Sequence, residues 1–228
     1  MPSGAYFGPG LFKFLSDLKK HNERDWFLAN QSRYQREVRD PFLALIADLA
    51  PKLAKLRSGF IADPHPTHGS MMRIYRDIRF SSDKSPYKTH ISAHFMHGRG
   101  KSVGIGLYLH FSPAHSIAGG GMWRPEPDAL RKIRYKIAAD SKAWQKASAG
   151  KMKSGGVCAL GGESLKRPPA GYAADHPMIE DIKRRDFYVG ADLAEKEVTS
   201  GKLLEAVLDR FHAAAPLAEF LVSAVSCS

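Results

Sequence analysis

The chain has 228 residues, 43% hydrophobic and 25% charged, which suits a globular fold with an ordinary core and argues against disorder. Lysines and arginines number 34 against 23 aspartates and glutamates, and the resulting +11 favours anionic partners such as phosphorylated small molecules, nucleic acid or acidic surfaces. Cys158 and Cys227 make neither a disulfide framework nor a cysteine-based zinc site and fit a reducing cytoplasm; with no export signal and no run of ~20 apolar residues, a membrane span is not expected.

Leu11, Phe14, Leu15 and Leu18 keep the spacing of one helix face. "HNERDW" interrupts that helix, and Asn22 is expected to cap a second one carrying Trp26, Phe27, Tyr34 and Val38. Asp40 followed by Pro41 reads as the N-cap and first residue of a third helix, because proline's missing N–H is not needed there. Its apolar face is Phe42, Leu45, Ile46, Leu49, Leu53 and Leu56, with Pro51 expected to kink or break it.

From about residue 60 the period changes to two. "VGIGLYLHF" alternates Val103, Ile105, Leu107, Leu109 and Phe111 with Gly104, Gly106, Tyr108 and His110, the clearest strand in the chain. "HISAHFMH" alternates more weakly through Ile91, Ala93 and Phe95, and the connector "GRGKS" predicts an antiparallel hairpin. Shorter strands are expected around Met71–Tyr75 and Ser116–Gly119. Outward glycines at 104 and 106 suit close approach of a neighbouring helix.

After "GGGMWRPEPD" the helical period returns with Leu130, Ile133, Ile137 and Trp144, predicting one long helix over the sheet. Residues 150–178 are rich in glycine and proline and read as loop. Leu204, Val207, Leu208 and Phe211 give one further helix, and Leu217, Phe220 and Leu221 a last one. The expectation is a single domain over 1–228, helical over 8–57, sheet-forming over 60–121, helical and loop-rich over 125–228. Its class is α+β, a mostly antiparallel central sheet flanked by N-terminal and C-terminal helices.

Several familiar motifs fail on inspection. "FMHGRGKS" ends like a phosphate-binding loop but has Phe95 where the first glycine belongs, and "GIGLYL" has Leu109 in place of a dinucleotide fingerprint's third glycine. Gly119–Gly121 alone reads as a tight turn at a strand end. His90 and His94 share one strand face and His97 the other, without the converging ligands a zinc ion needs. No nucleophile elbow occurs. Neither a metal nor a cofactor is expected.

The densest chemistry lies in "RIYRDIRFSSDKSPYK", residues 73–88, where Arg73, Arg76, Arg79, Lys84 and Lys88 are interleaved with Asp77, Asp83, Tyr75, Phe80 and Tyr87. Arginine presents a planar fork of donors that matches phosphate or carboxylate oxygens in pairs and keeps its charge. Ile74, Ile78, Pro86 and the Ser-Ser-Asp run predict a strand passing into an ordered loop, with Asp77 locking one arginine. The bland alternative is a set of ion pairs, Arg76 with Asp77 or Arg79 with Asp83, that only orders the loop.

"RIYRDIRFSSDKSPYKTH" resembles the R-x-x-R-D-x-R-F-S-x-D-K-x-P-Y-K signature of a bacterial family of uncharacterised proteins, domain of unknown function 2461. The resemblance extends through "FLSDLKKHNERDWF" and "YQREVRDPF", "GLYLHFSP" and "GGGMWRPEPDALRKIR", and "LKRPPAGYAADHP" and "RRDFYVG". One departure is Arg184 and Arg185, where the family pattern leads us to expect a lysine. The resemblance implies a common fold and no substrate, and it moves weight toward an anion site, expected as a basic pocket for a phosphate- or carboxylate-bearing ligand formed by residues 73–88 with the loops near 121 and 172, with Trp123, Arg124, Tyr172 and His176 as further lining candidates. In an enzyme, Arg73, Arg76 and Arg79 would hold an anion, Lys84 or Lys88 would offset developing charge, and Asp77, Tyr87 or His176 would move protons. In a nucleic-acid module, Lys84, Lys88 and Lys101 would meet phosphates, with Tyr87 or Phe80 as stacking surfaces. In an interaction or scaffold protein, the charge network would be purely structural.

Overall fold

A computed structural model describes residues 4–56, 59–99 and 104–226. Val103, residues 100–102 of the hairpin connector with Lys101, and Cys227 lie outside the described residues. Helix α1 (Gly10–Lys20) buries Leu11, Phe14, Leu15 and Leu18 as its spacing requires. The next helix is α2 (Arg24–Ala29), but its cap is Glu23; the Asn22 amide is drawn to a backbone 65 residues away. α3 (Gln31–Tyr34) then runs without a break through a π-turn (Gln35–Arg39) into α4 (Asp40–Leu53). Asp40 therefore has helical angles and caps nothing. A proline within a helix removes a donor and its ring crowds the carbonyl four residues back, and the wider π-turn just before Pro41 makes room for both. α4 runs through Pro51 and ends two residues later at Leu53, so Leu56, expected on its apolar face, lies beyond the helix.

Strands β1 (Ile91–Met96), β2 (Gly106–Phe111) and β3 (Ile117–Met122) form an antiparallel meander, and two later strands extend it. β5 (Phe187–Asp192) pairs with β3, and β4 (Ala159–Gly161), within the segment expected to be loop, pairs with β5, giving the order β1-β2-β3-β5-β4. Met71–Tyr75 forms only isolated bridges beside β1 and Tyr87. Gly106 is crowded by the His94 ring and the Phe95 carbonyl of β1, so its missing side chain serves the adjacent strand and not a helix.

Helix α5 (Pro127–Ala139) stops at Asp140, whose carboxylate accepts from Ala143 N at 3.1 Å and starts α6 (Ser141–Ser148), so the expected long helix is two. The last two expected helices are one, α9 (Leu203–Ser226), which passes through Pro216. Its buried run from Leu203 to Ala224 lies against β2, β3 and β5, and that burial outweighs the roughly 3 kcal/mol of an interior proline. Two small helices, α7 (Ile179–Ile182) and α8 (Glu195–Val198), flank β5.

The register divides the sheet into unlike faces. Ile91, Ala93, Phe95, Leu107, Leu109, Phe111, Ala118, Met122, Phe187 and Val189 are buried in the common core with the helices. The other face carries Ser92 and His94 opposite His110 and Tyr108, then Gly119 and Gly121, then Gly190 and Tyr188. His94, Tyr108, His110, Tyr188 and Gly190 are only half-buried there. Among the described residues, no helix is long and apolar enough to cross a membrane.

Candidate functional site

Residues 74–76 and 86–88 fold back on each other, with Lys88 N donating to Ile74 O at 2.7 Å and Arg76 N to Pro86 O at 2.9 Å. The base of this hairpin is anchored twice. Tyr87 is buried and stacks on Phe27 at 4.1 Å, and Asn22 clamps the Tyr87 backbone by donating to its carbonyl and accepting from its N–H. Burial raises the Tyr87 phenol.

Three of the cations are used inside the hairpin. Arg76 pairs with Asp83 and donates to Ser85 O at 3.2 Å and Ser81 Oγ at 3.4 Å. Hydrogen bonds from Ser85, then from Arg76, bring the Asp83 carboxyl down to about 2. Arg79 meets Asp77 with two donors, at 2.9 and 2.7 Å, and its hydrogen bonds, with help from nearby Arg73, lower the Asp77 carboxyl. The pairing is thus Arg76–Asp83 and Arg79–Asp77, the reverse of the sequence-based pairing. Lys84 Nζ donates to the Ile78 carbonyl at 3.1 Å. Phe80 stands 96% exposed beneath the Arg79 guanidinium.

Arg73 and Lys88 differ from these. The Lys88–Ile74 backbone bond brings them together at the start of β1, and neither has an ion-pair partner within 4 Å among the described residues. Burial, and then the Arg73 charge, lower the Lys88 ammonium. Lys88 in turn lies beside His90, whose ring is 4.4 Å from that of His110. His110 Nδ1 is 3.2 Å from the Tyr108 hydroxyl, and Tyr108 lies beside buried Ser92. Burial lowers His90 and His94 and takes His110 down to about 4, with His90 and His115 adding to the last shift, so this line of rings is neutral at pH 7.

Trp123 follows β3 at the opposite end of the open face. It is 70% exposed, with Tyr188 stacked 6.4 Å away and the Arg124 guanidinium 5.9 Å from its ring. Arg124 has φ +46°, in the left-handed region, and its N–H donates to buried Asp186 at 2.8 Å. Tyr172 packs against the core near Arg134, and burial raises its phenol. His176 Nδ1 accepts from Met178 N at 3.0 Å, ordering its own turn. The hairpin cations, Trp123 and Tyr172 therefore do not line one enclosed pocket; two open concavities lie elsewhere, one beside Tyr6 and the π-turn, one between His115 and Glu195. Among the described residues, no three histidine, cysteine or acidic side chains converge as a metal site would need.

Sequence reasoning noted His110 and Tyr108 as outward-facing but did not connect them with Lys88, and it missed Tyr188 with its strand. The signal was present, since "DFYVG" alternates Phe187 and Val189 with Tyr188 and Gly190.

The model of the family described as "Conserved hypothetical protein (DUF2461)" matches residues 10–220. No curated protein and no solved structure matches the chain. The chain belongs to the DUF2461 family.

Proposed function

We propose that this DUF2461 protein binds a phosphate- or carboxylate-bearing ligand at one end of its open sheet face, with Arg73 and Lys88 holding the anion. One observation carries the reading: two cations meet beside a neutral histidine pair, repel one another, and have no carboxylate within ion-pair distance among the described residues. A bound anion relieves that repulsion, and arginine and lysine supply complementary fork and point-charge contacts. Arg76, Arg79 and Lys84 order the hairpin that presents them.

A binding role is the better-supported form of this reading. Asp77 is held by Arg79, Tyr87 is stacked on Phe27, and His176 orders its own turn, so each proton-transfer candidate is engaged elsewhere. The site lies in the cytoplasm on this reading, as the cysteine usage suggests.

Thermal-shift titrations with inorganic phosphate, sugar phosphates and nucleotides, at low and high salt, test it. Saturable stabilisation of the wild type should disappear in Arg73→Ala and in Lys88→Met. Lys88→Met should melt no lower than wild type, because it removes a like-charge repulsion and a partly buried charge, and Arg73→Ala should melt close to wild type, because it removes the same repulsion together with a weak attraction to Asp77. Arg76→Ala should melt lower through loss of its Asp83, Ser81 and Ser85 contacts. Undiminished binding by Arg73→Ala and Lys88→Met would move the anion site elsewhere.

A further inference from the structure

The open face has a second end, and it is built for a different contact. An indole that is 70% exposed loses the stabilisation that burying so large an apolar surface would give, and here it is also held in place. Trp123 precedes Arg124, a non-glycine residue at φ +46°, and the turn is fixed by the buried Asp186 carboxylate, which accepts from Arg124 N at 2.8 Å and Glu163 N at 3.0 Å. Backbone strain maintained by a buried acceptor, with an exposed aromatic as its product, is the pattern of a preorganised contact. Tyr188 extends the platform: its ring lies across Gly161, where any side chain would collide with it, and is stacked with Trp123.

The two ends are a fixed distance apart. Gly121 lies opposite Gly106, which lies four residues along β2 from His110, and Trp123 is two residues further on. At ~3.3 Å per residue His110, the ring next to the cation pair by way of His90, is ~20 Å from the indole along the strands, and the cations lie further out still. That exceeds a mononucleotide and corresponds to about six stacked nucleotides at 3.4 Å each. Between the ends, His94, Tyr108 and His110 offer neutral hydrogen-bonding groups, suited to sugar hydroxyls and base edges rather than to phosphate.

We propose that the open sheet face is a binding surface for single-stranded RNA, with a base stacked on Trp123 and Tyr188, the backbone phosphate held at the far end by Arg73 and Lys88, and riboses lying over Tyr108 and His94. This rests on the anion reading above and specifies its ligand. The +11 net charge supplies the complementary long-range attraction. Sheet faces that stack unpaired bases while 2′-hydroxyls are read by polar side chains recur in RNA recognition, and exposed aromatics with flanking arginine serve the same end.

Fluorescence anisotropy with end-labelled 12-nucleotide oligouridylate, the matching deoxy-oligomer, a 12-base-pair duplex, uridine monophosphate and inorganic phosphate tests the assignment at two salt concentrations. The RNA should bind most tightly, and Trp123→Ala should weaken it by about 5- to 100-fold, matching the ~1–3 kcal/mol typical per stacked base, with Trp123→Phe recovering part of the loss. Arg73→Ala and Lys88→Met should flatten the salt dependence. Urea denaturation of Trp123→Ala, whose side chain is largely exposed, checks that the fold is retained. If phosphate and the monophosphate bind through Arg73 and Lys88 while the oligomer gains nothing and Trp123→Ala is silent, the RNA assignment falls and the small-anion reading stands. Equal affinity for the deoxy-oligomer or the duplex also overturns it. If no anion binds at all, both readings fall.

Discussion

Removing the Asp186 carboxylate should be among the most damaging single changes in the chain, and its size follows from the geometry. Asp186 is 5% exposed and accepts two backbone N–H donors, from Arg124 at 2.8 Å and Glu163 at 3.0 Å. Hydrogen bonds to a charged acceptor contribute about 1.5–3 kcal/mol each, so Asp186→Ala forfeits about 3–6 kcal/mol. Part is recovered, because Arg124 is then free to leave its left-handed conformation, which costs about 1–2 kcal/mol for a residue with a Cβ. The expected net loss is about 2–4 kcal/mol, a large share of the 5–15 kcal/mol typical of a domain. Asp186→Asn keeps an oxygen for one donor and turns its amide on the other, so it should lose roughly half as much. Urea denaturation followed by circular dichroism, with an unchanged dependence on denaturant, reads these values. A loss below about 1 kcal/mol for Asp186→Ala, or equal losses for both variants, would show that the carboxylate does not hold the turn.

Trp144 is fully buried but its Nε1–H has no partner among the described residues, so Trp144→Phe trades a small cavity for relief of an unsatisfied donor; it should change stability by under ~1.5 kcal/mol, against the 3–5 usual for loss of a large core aromatic to alanine, in the same urea assay. His110 titrates at about 4 in the fold against ~6.5 in the unfolded chain. Both states are neutral above ~6.5, and between ~6.5 and ~4 the unfolded chain takes up its proton first, so stability falls as pH falls, by at most ~1.4 kcal/mol per pH unit. His110→Gln should make urea midpoints measured from pH 7 to 4.5 fall less steeply, and an unchanged profile would refute the assignment. Pro216→Ala, at an exposed position inside α9, should raise the melting temperature by restoring a helical donor, a gain of up to ~3 kcal/mol.

Where one local pattern governed an element, that pattern was enough. The i, i+3, i+4 spacing of Leu11, Phe14, Leu15 and Leu18 is the buried face of α1, and the alternation from Ile105 to Phe111 is β2 with its apolar side turned to the core. Local rules failed where distant residues outbid them. Asn22 has a good capping side chain, but the Tyr87 backbone offers it a donor and an acceptor together. Leu217, Phe220 and Leu221 read as a separate last helix, but they and the apolar residues before Pro216 share one partner in the sheet, and the helix runs on through the proline.

By itself, the sequence determined the α+β composition, the β1–β2 hairpin, the family and the concentration of cations at 73–88, because composition, periodicity and motif spacing are properties of neighbours along the chain. Only the tertiary structure decided which cations are spent and which remain. Arg76 and Arg79 find Asp83 and Asp77 through the folding back of one hairpin, whereas Arg73 and Lys88 are brought together by the Lys88–Ile74 backbone bond with no acid within ion-pair distance among the described residues. The open face is likewise a product of register: Tyr108 and His110 are set beside His94 and Ser92, and Trp123 beside Tyr188, by strand pairings between residues far apart in the chain, as far as Ile117 with Asp192. Such pairings depend on which backbone edges meet once the helices have claimed the apolar face, and local spacing carries no record of that choice.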